Sequence, residues 1–239
     1  MALEDFGVIL AALRKKLMRI AIVIGVGTFG SFPFMSRLLN QIQKDLLPEG
    51  VKTVIIQPVE AIMLEMKMSL IIGVLISLPL IAYYVYDALR NRYDVVNRFE
   101  VKKSFIVLVA VSALILFFLG TAYSYFIMLP VLLSFLNTLA MSVGATSTWS
   151  LELWVHFAIM MTVVFGLAFE LPIVLPLLAR FGVVSYQTLR EHRRHGIVIV
   201  FIVAAIITPP DVISQMMIAL PMLLFYEIGL LVTRIAVKS

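Results

Sequence analysis

A few polar side chains in this sequence stand where chemistry could be done. Glu170 is the one charge deep inside the apolar run 151–180, and Pro172 follows it closely. A carboxylate at the centre of a membrane span costs upward of about 2.5 kcal/mol, so such a group faces protein or a water-filled cavity. There it serves as a polar contact for a partner helix or as a proton carrier. The plainer alternative is a protonated acid satisfied within its own bundle. Gln215, near the start of the run 212–235, offers its amide to Glu170, to an incoming helix, or to headgroups at the interface. A polar side chain between helices is worth about 1 kcal/mol. Asp211 suits the N-cap of that last helix. Glu100 stands alone as an acid among Arg98, Lys102 and Lys103, the usual setting of a solvated surface ion pair worth under about 1 kcal/mol.

Catalytic motifs are missing. There is no His-Glu-x-x-His pair, no Gly-x-Ser-x-Gly, no Walker loop and no dinucleotide fingerprint after a strand. His192 and His195 share one basic loop and His156 stands apart, which is a poor basis for a zinc site. The chain has no cysteine, so thiolate ligands, thiol nucleophiles and disulfides are excluded. Neither a metal nor another cofactor is expected. The 13 methionines read as core filler at helical spacing.

The elements that must position these groups are apolar spans. Of 239 residues 62% are hydrophobic and 14% charged, and mean hydropathy is +1.06. A soluble domain carries roughly 25% charged residues, so a soluble, disordered or nucleic-acid-binding chain is excluded. A span needs about 20 apolar residues. Six are read, at about 17–36, 61–88, 104–137, 151–180, 196–208 and 212–235, in one transmembrane domain covering 1–239. The fifth is short, and with the sixth it makes a tight hairpin across Thr208-Pro209-Pro210-Asp211. Gly25, Gly27 and Gly30 predict close helix packing in the first span. Pro79 is expected to kink the second and Pro130 to bend the third. Segments 37–60, 89–104, 138–150 and 181–195 read as connections, with a turn at Leu47-Pro48-Glu49-Gly50.

The net charge of +5 reads as loop charge beside anionic lipid rather than as a nucleic-acid footprint. Lys and Arg cluster in the N-terminal segment through Arg19, in 89–104, in 180–195 and in the tail with Arg234 and Lys238, which together hold 15 of the 19. Arg37, Lys44 and Lys52 are the few on the other side. The positive-inside rule therefore places both termini in the cytoplasm, which an even number of spans permits.

Together these residues resemble a family. Phe165-Gly166-Leu167-Ala168-Phe169-Glu170-Leu171-Pro172 and Ile206-Ile207-Thr208-Pro209-Pro210-Asp211-Val212-Ile213-Ser214-Gln215 are similar to motifs of TatC, the multispan core of the twin-arginine protein translocase. Pro221, Tyr226 and Glu227 follow in order, and Pro58, Glu60, Lys67, Ser69, Gly73, Pro79, Gly120, Tyr125 and Pro130 match upstream. The resemblance implies six helices in a concave, glove-like bundle, the last two short, in the cytoplasmic membrane of a prokaryote. It implies a non-enzymatic receptor for twin-arginine signal peptides of folded cargo, driven by the proton-motive force. Its partners would be single-span proteins of the TatA and TatB type, membrane lipid and further copies of itself.

By the same resemblance Glu100, with Lys102, Lys103 and Arg14, would bind the signal. Glu170, Gln215 and Phe169 would dock partner helices, and Pro48, Pro209, Pro210 and Asp211 would form the outer turns. Ile9 and Ala12 stand where the family usually has His and Glu, and the segment before Glu100 also departs. Those changes fall on the signal-reading face and point to a divergent receptor. The competing reading is a small proton-coupled secondary transporter using Glu170, although no internal repeat supports it.

Overall fold

The computed structural model describes residues 2–91, 103–208 and 211–238. The chain is mostly helical. The helices are α1 (Ala2–Ser31), α2 (Met35–Leu46), α3 (Glu60–Asn91), α4 (Lys103–Tyr123), α5 (Leu129–Ser142), α6 (Leu151–Arg180), α7 (Tyr186–Glu191), α8 (Arg193–Ile207) and α9 (Val212–Lys238). Two short strands, β1 (Lys52–Val54) and β2 (Thr148–Ser150), pair in parallel with Thr53 opposite Trp149. Among the described residues five helical stretches are long and apolar enough to cross a membrane: 14–46, 60–81, 107–142, 151–180 and 212–236. Helix α8, with 15 residues, reaches only about 22 Å at 1.5 Å per residue. That is short of a hydrocarbon core of about 30 Å.

The contacts form two compact units, Met1–Asp45 with Ile55–Glu100, and Leu46–Val54 with Val101–Ser239. In the first, α1 packs along α3. The crossing point is set by two glycines. A Cβ on Gly73 would lie 2.5 Å from the Ile24 carbonyl and from Thr28 Oγ1, and one on Gly27 would lie 2.9 Å from Gly73 Cα. Gly25 and Gly30 have open space around them instead, so only one of the three glycines expected to pack does so. The polar segment after the first span is also more ordered than its composition suggested. A 3-10 turn at Phe32–Phe34 leads into α2. Met35, Leu39 and Leu46 of α2 are buried and its charges point away, the mark of an amphipathic helix rather than a loop.

In the second unit α6 is the central element, with α4 on one side and α9 on another. Its limits coincide with the expected 151–180. The Ser150 hydroxyl accepts from Leu153 N–H at 3.4 Å at its start. At its end Val183 N–H donates to Leu178 O and Gly182 N–H to Ala179 O, with Gly182 at φ +68°, the closing pattern that glycine permits. The third span runs from α4 to α5 through a π segment, Ser124–Met128. Pro130 has no N–H for the Phe126 carbonyl and its ring crowds that group, and a wider turn relieves both. The expected loop 138–150 is helical to Ser142 and ends in β2, and the basic connection 181–195 contains α7.

Candidate polar sites along the helices

Glu170 lies three turns before the end of α6 and is half-buried. Among the described residues its carboxyl has no hydrogen-bond partner. Pro172 cannot donate to the Ala168 carbonyl, so a second acceptor is freed within one turn of the acid. Phe169 is held in place by aromatic rings from two other helices. Its ring centroid is 3.8 Å from that of Phe225 on α9 and 5.5 Å from that of Tyr123 on α4. Gly120 admits this contact, because a Cβ there would lie 2.5 Å from Phe165 O and 2.9 Å from the Phe169 side chain. Gly229 admits α9 against the Leu171 carbonyl in the same way. Three helices therefore meet at the level of Glu170 with little freedom to shift.

Gln215 belongs to a different level. Its side-chain amide donates to the Phe201 carbonyl of α8 at 2.9 Å. Since Phe225 is the α9 residue that meets Phe169, Gln215 lies ten residues, about 15 Å along the axis, from the level of Glu170. The amide thus serves the short helix beside it. Asp211 caps α9: its Oδ1 accepts from Ser214 N–H at 2.7 Å, as an N-cap aspartate does. Thr208 ends α8 with its hydroxyl donating to Ala204 O at 2.9 Å.

At the other end of the α8–α9 hairpin Arg193 Nε donates to Glu227 Oε1. Close by, Gly196 lets α8 approach the Tyr226 ring, and the Tyr226 hydroxyl donates to Leu189 O at 3.5 Å. Leu175, Tyr226 and Leu230 form a small core here, with Leu171 and Leu189 against it. Arg180 lies over the Phe105 ring at 4.2 Å.

Pro48 opens a turn in which Val51 N–H donates to its carbonyl at 3.2 Å, with Gly50 at φ +85°, the third-position conformation of a type II turn. The first turn before α3 is organised by Glu60, which is buried at 3% exposure. Its Oε2 accepts from Ile56 N–H at 2.7 Å and Gln57 N–H at 3.2 Å. The sequence pattern marked Glu60 but not this role. Nor did it mark Phe201, Phe225, Tyr123 or the Arg193–Glu227 pair as neighbours of the candidate residues. Of the signal-binding candidates, Arg14 is exposed on α1 and Lys103 begins α4. Glu100 and Lys102 lie outside the described residues, as do Pro209 and Pro210. No group of three or more metal-ligating side chains occurs among the described residues.

Comparison with known proteins places this arrangement in a family. A family model described as Sec-independent protein translocase protein (TatC) matches residues 8–221. The protein TatCt of Haloferax volcanii is 34% identical over 99% of this chain, which spans 34% of that longer protein. TatC of Desulforapulum autotrophicum is 33% identical, covering 96% of this chain and 84% of its own length. For TatC of Aquifex aeolicus the identity is 33%, with 96% and 95% covered. A crystal structure described as a twin arginine translocase receptor, TatC, superposes with a TM-score of 0.82 at 31% identity, over 95% of this chain and 99% of that one.

Proposed function

The chain belongs to the TatC family of Sec-independent protein translocase components, multipass proteins of prokaryotic membranes, and we propose that it is the receptor subunit that reads twin-arginine signal peptides. The observation that carries this reading is the likeness, over 95% of the chain, to a solved twin-arginine translocase receptor. The signal's guanidinium groups would be met by Glu100, because carboxylate and guanidinium pair bidentately with charge-assisted bonds. Arg14, Lys102 and Lys103 would frame that contact. Both termini would lie in the cytoplasm, α8 counting as a sixth, thin crossing beside α9.

Glu170, Phe169 and Gln215 would receive helices of TatA/TatB-type single-span partners. An unpartnered carboxyl beside a freed carbonyl is a polar contact waiting within an apolar span, and a polar group on an incoming helix answers it. The protein would act without nucleotide or catalytic step, in a complex with other copies of itself, using the proton-motive force. The test is export of a twin-arginine cargo in cells whose only such receptor is this chain. Export is expected with the native chain and lost with Glu100→Ala at equal protein level. Undiminished export by the variant would remove Glu100 from the reading.

A further inference from the structure

Within the first unit, the segment that leads into α3 turns its one charge inward and its aliphatic side chains outward. Between Lys52 and Glu65 the sequence holds a single charged residue, Glu60. Glu60 is buried, and its carboxylate accepts from the N–H groups of Ile56 and Gln57. Its own N–H donates to Gln57 O at 3.0 Å. Charge-assisted bonds to main-chain N–H groups are strong, so residues 56–60 are folded back beside the first turn of α3. Outside this fold Ile55 is 56% exposed, Ile56 69% and Val59 53%. Aliphatic residues exposed singly need no explanation, whereas a contiguous patch marks a contact surface.

The patch continues along the helix. Ile62, Met66 and Leu70 are exposed while Leu64 and Met68 are buried, and a spacing of four keeps the exposed three on one face. The stretch 60–81 is long and apolar enough to cross a membrane, so this stripe faces hydrocarbon. Lys67 is exposed in the second turn. Helical side chains lean toward the N-terminus and a lysine stem carries its charge to the headgroups, which sets the edge of the hydrocarbon near the first turn of α3. The folded-back segment lies beside that turn. We propose that Ile55–Val59 is a membrane anchor, with Ile55, Ile56 and Val59 inserted into the lipid leaflet at the start of α3 and the buried Glu60 holding the backbone that presents them. Lipid is selected as the occupant because the patch extends a face that is already in lipid and bears no exposed charge. Gln57, the one polar side chain of the segment, suits the headgroup level. The anchor requires α3 to cross the membrane and stands whatever signal the chain reads.

The chain has no cysteine, so one introduced thiol carries one nitroxide label. The full chain with Ile56→Cys, or Ile55→Cys should the first fail to fold, is labelled and reconstituted without partner proteins into phosphatidylcholine vesicles at high lipid-to-protein ratio. Collision of the label with oxygen, which concentrates in lipid, is compared with collision with a water-soluble nickel chelate on both sides of the bilayer. Leu70→Cys is the reference for lipid, and Glu49→Cys, on the exposed turn after Pro48, the reference for water. The ratio of oxygen to nickel collisions at Ile56 is expected to exceed that at Glu49 several-fold and to approach that at Leu70. A ratio equal to that at Glu49 would overturn the proposal by placing the segment in water. Low collision with both reagents would overturn it as well, since the patch would then be covered by protein, a second copy of the chain.

Discussion

The side-chain amide of Gln215 donates to the main-chain carbonyl of Phe201 at 2.9 Å, tying α9 to the short helix α8. The Arg193–Glu227 pair ties the same two helices at their other end. Between the two ties α8 packs along α9 and only lightly on α6, with Val200 and Ala204 buried. The hairpin is therefore fastened by polar contacts at its ends and by an apolar seam between them. Gln215 has a structural duty beside any role in docking.

Gln215→Leu separates these duties. Loss of the interhelical bond should cost about 1 kcal/mol, seen as a fall of a few degrees in the thermal unfolding midpoint in detergent. If Gln215 also docks a partner helix, crosslinks from α9 to single-span partners fall by much more than that small loss of stability allows. An unchanged midpoint with unchanged crosslinks would contradict both roles.

The Arg193–Glu227 pair is partly open to solvent, with side chains 54% and 36% exposed, so its worth is discounted to about 0.5–1 kcal/mol. Arg193→Glu and Glu227→Arg are each expected to lower stability, and the charge-swapped double variant to recover most of the loss. A double-mutant cycle on the unfolding midpoint reads this coupling. Additive losses would show that the two residues act separately.

Glycines of α1 and α3 give a sharp contrast. Gly73→Val drives a side chain into the Ile24 carbonyl and Thr28, and overpacking of this kind costs about 1–3 kcal/mol. The accumulated protein level and its resistance to protease should both fall. Gly25→Ala and Gly30→Ala, which meet open space, should leave both unchanged or slightly raised, as alanine favours the helix.

Glu170 can be tested by size-matched replacement. Glu170→Gln keeps hydrogen-bonding capacity and removes ionisation, whereas Glu170→Leu removes both. If the residue is a polar contact for a partner helix, the glutamine variant keeps most crosslinking to partners and the leucine variant loses it. Loss of export in both variants, with crosslinking intact, would instead favour a proton-carrying role.

The apolar spans were legible because a membrane helix declares itself by composition, and α6 was legible to the residue because Ser150 and Gly182 punctuate it. Helix α2 was not, since Arg37, Lys44 and Asp45 outweigh by eye the single buried stripe of Met35, Leu39 and Leu46. Strands β1 and β2 hold three residues each, too few to show a period. Nothing in the spelling of Gly25, Gly27 and Gly30 tells which one meets a neighbour. The candidate residues themselves stood out as polar groups in apolar runs, but their neighbours did not. A main-chain acceptor such as Phe201 O carries no sequence signature, and Phe225 looks like any other phenylalanine of a span.

The central claim, that this chain reads paired arginines, is tested most directly by site-specific photocrosslinking from position 100 in membranes. The probes are a twin-arginine signal peptide and its twin-lysine variant. The account predicts crosslinking to the first and not the second. Equal crosslinking to both, or none to either in folded protein, would contradict it and leave a family scaffold without the family's expected recognition.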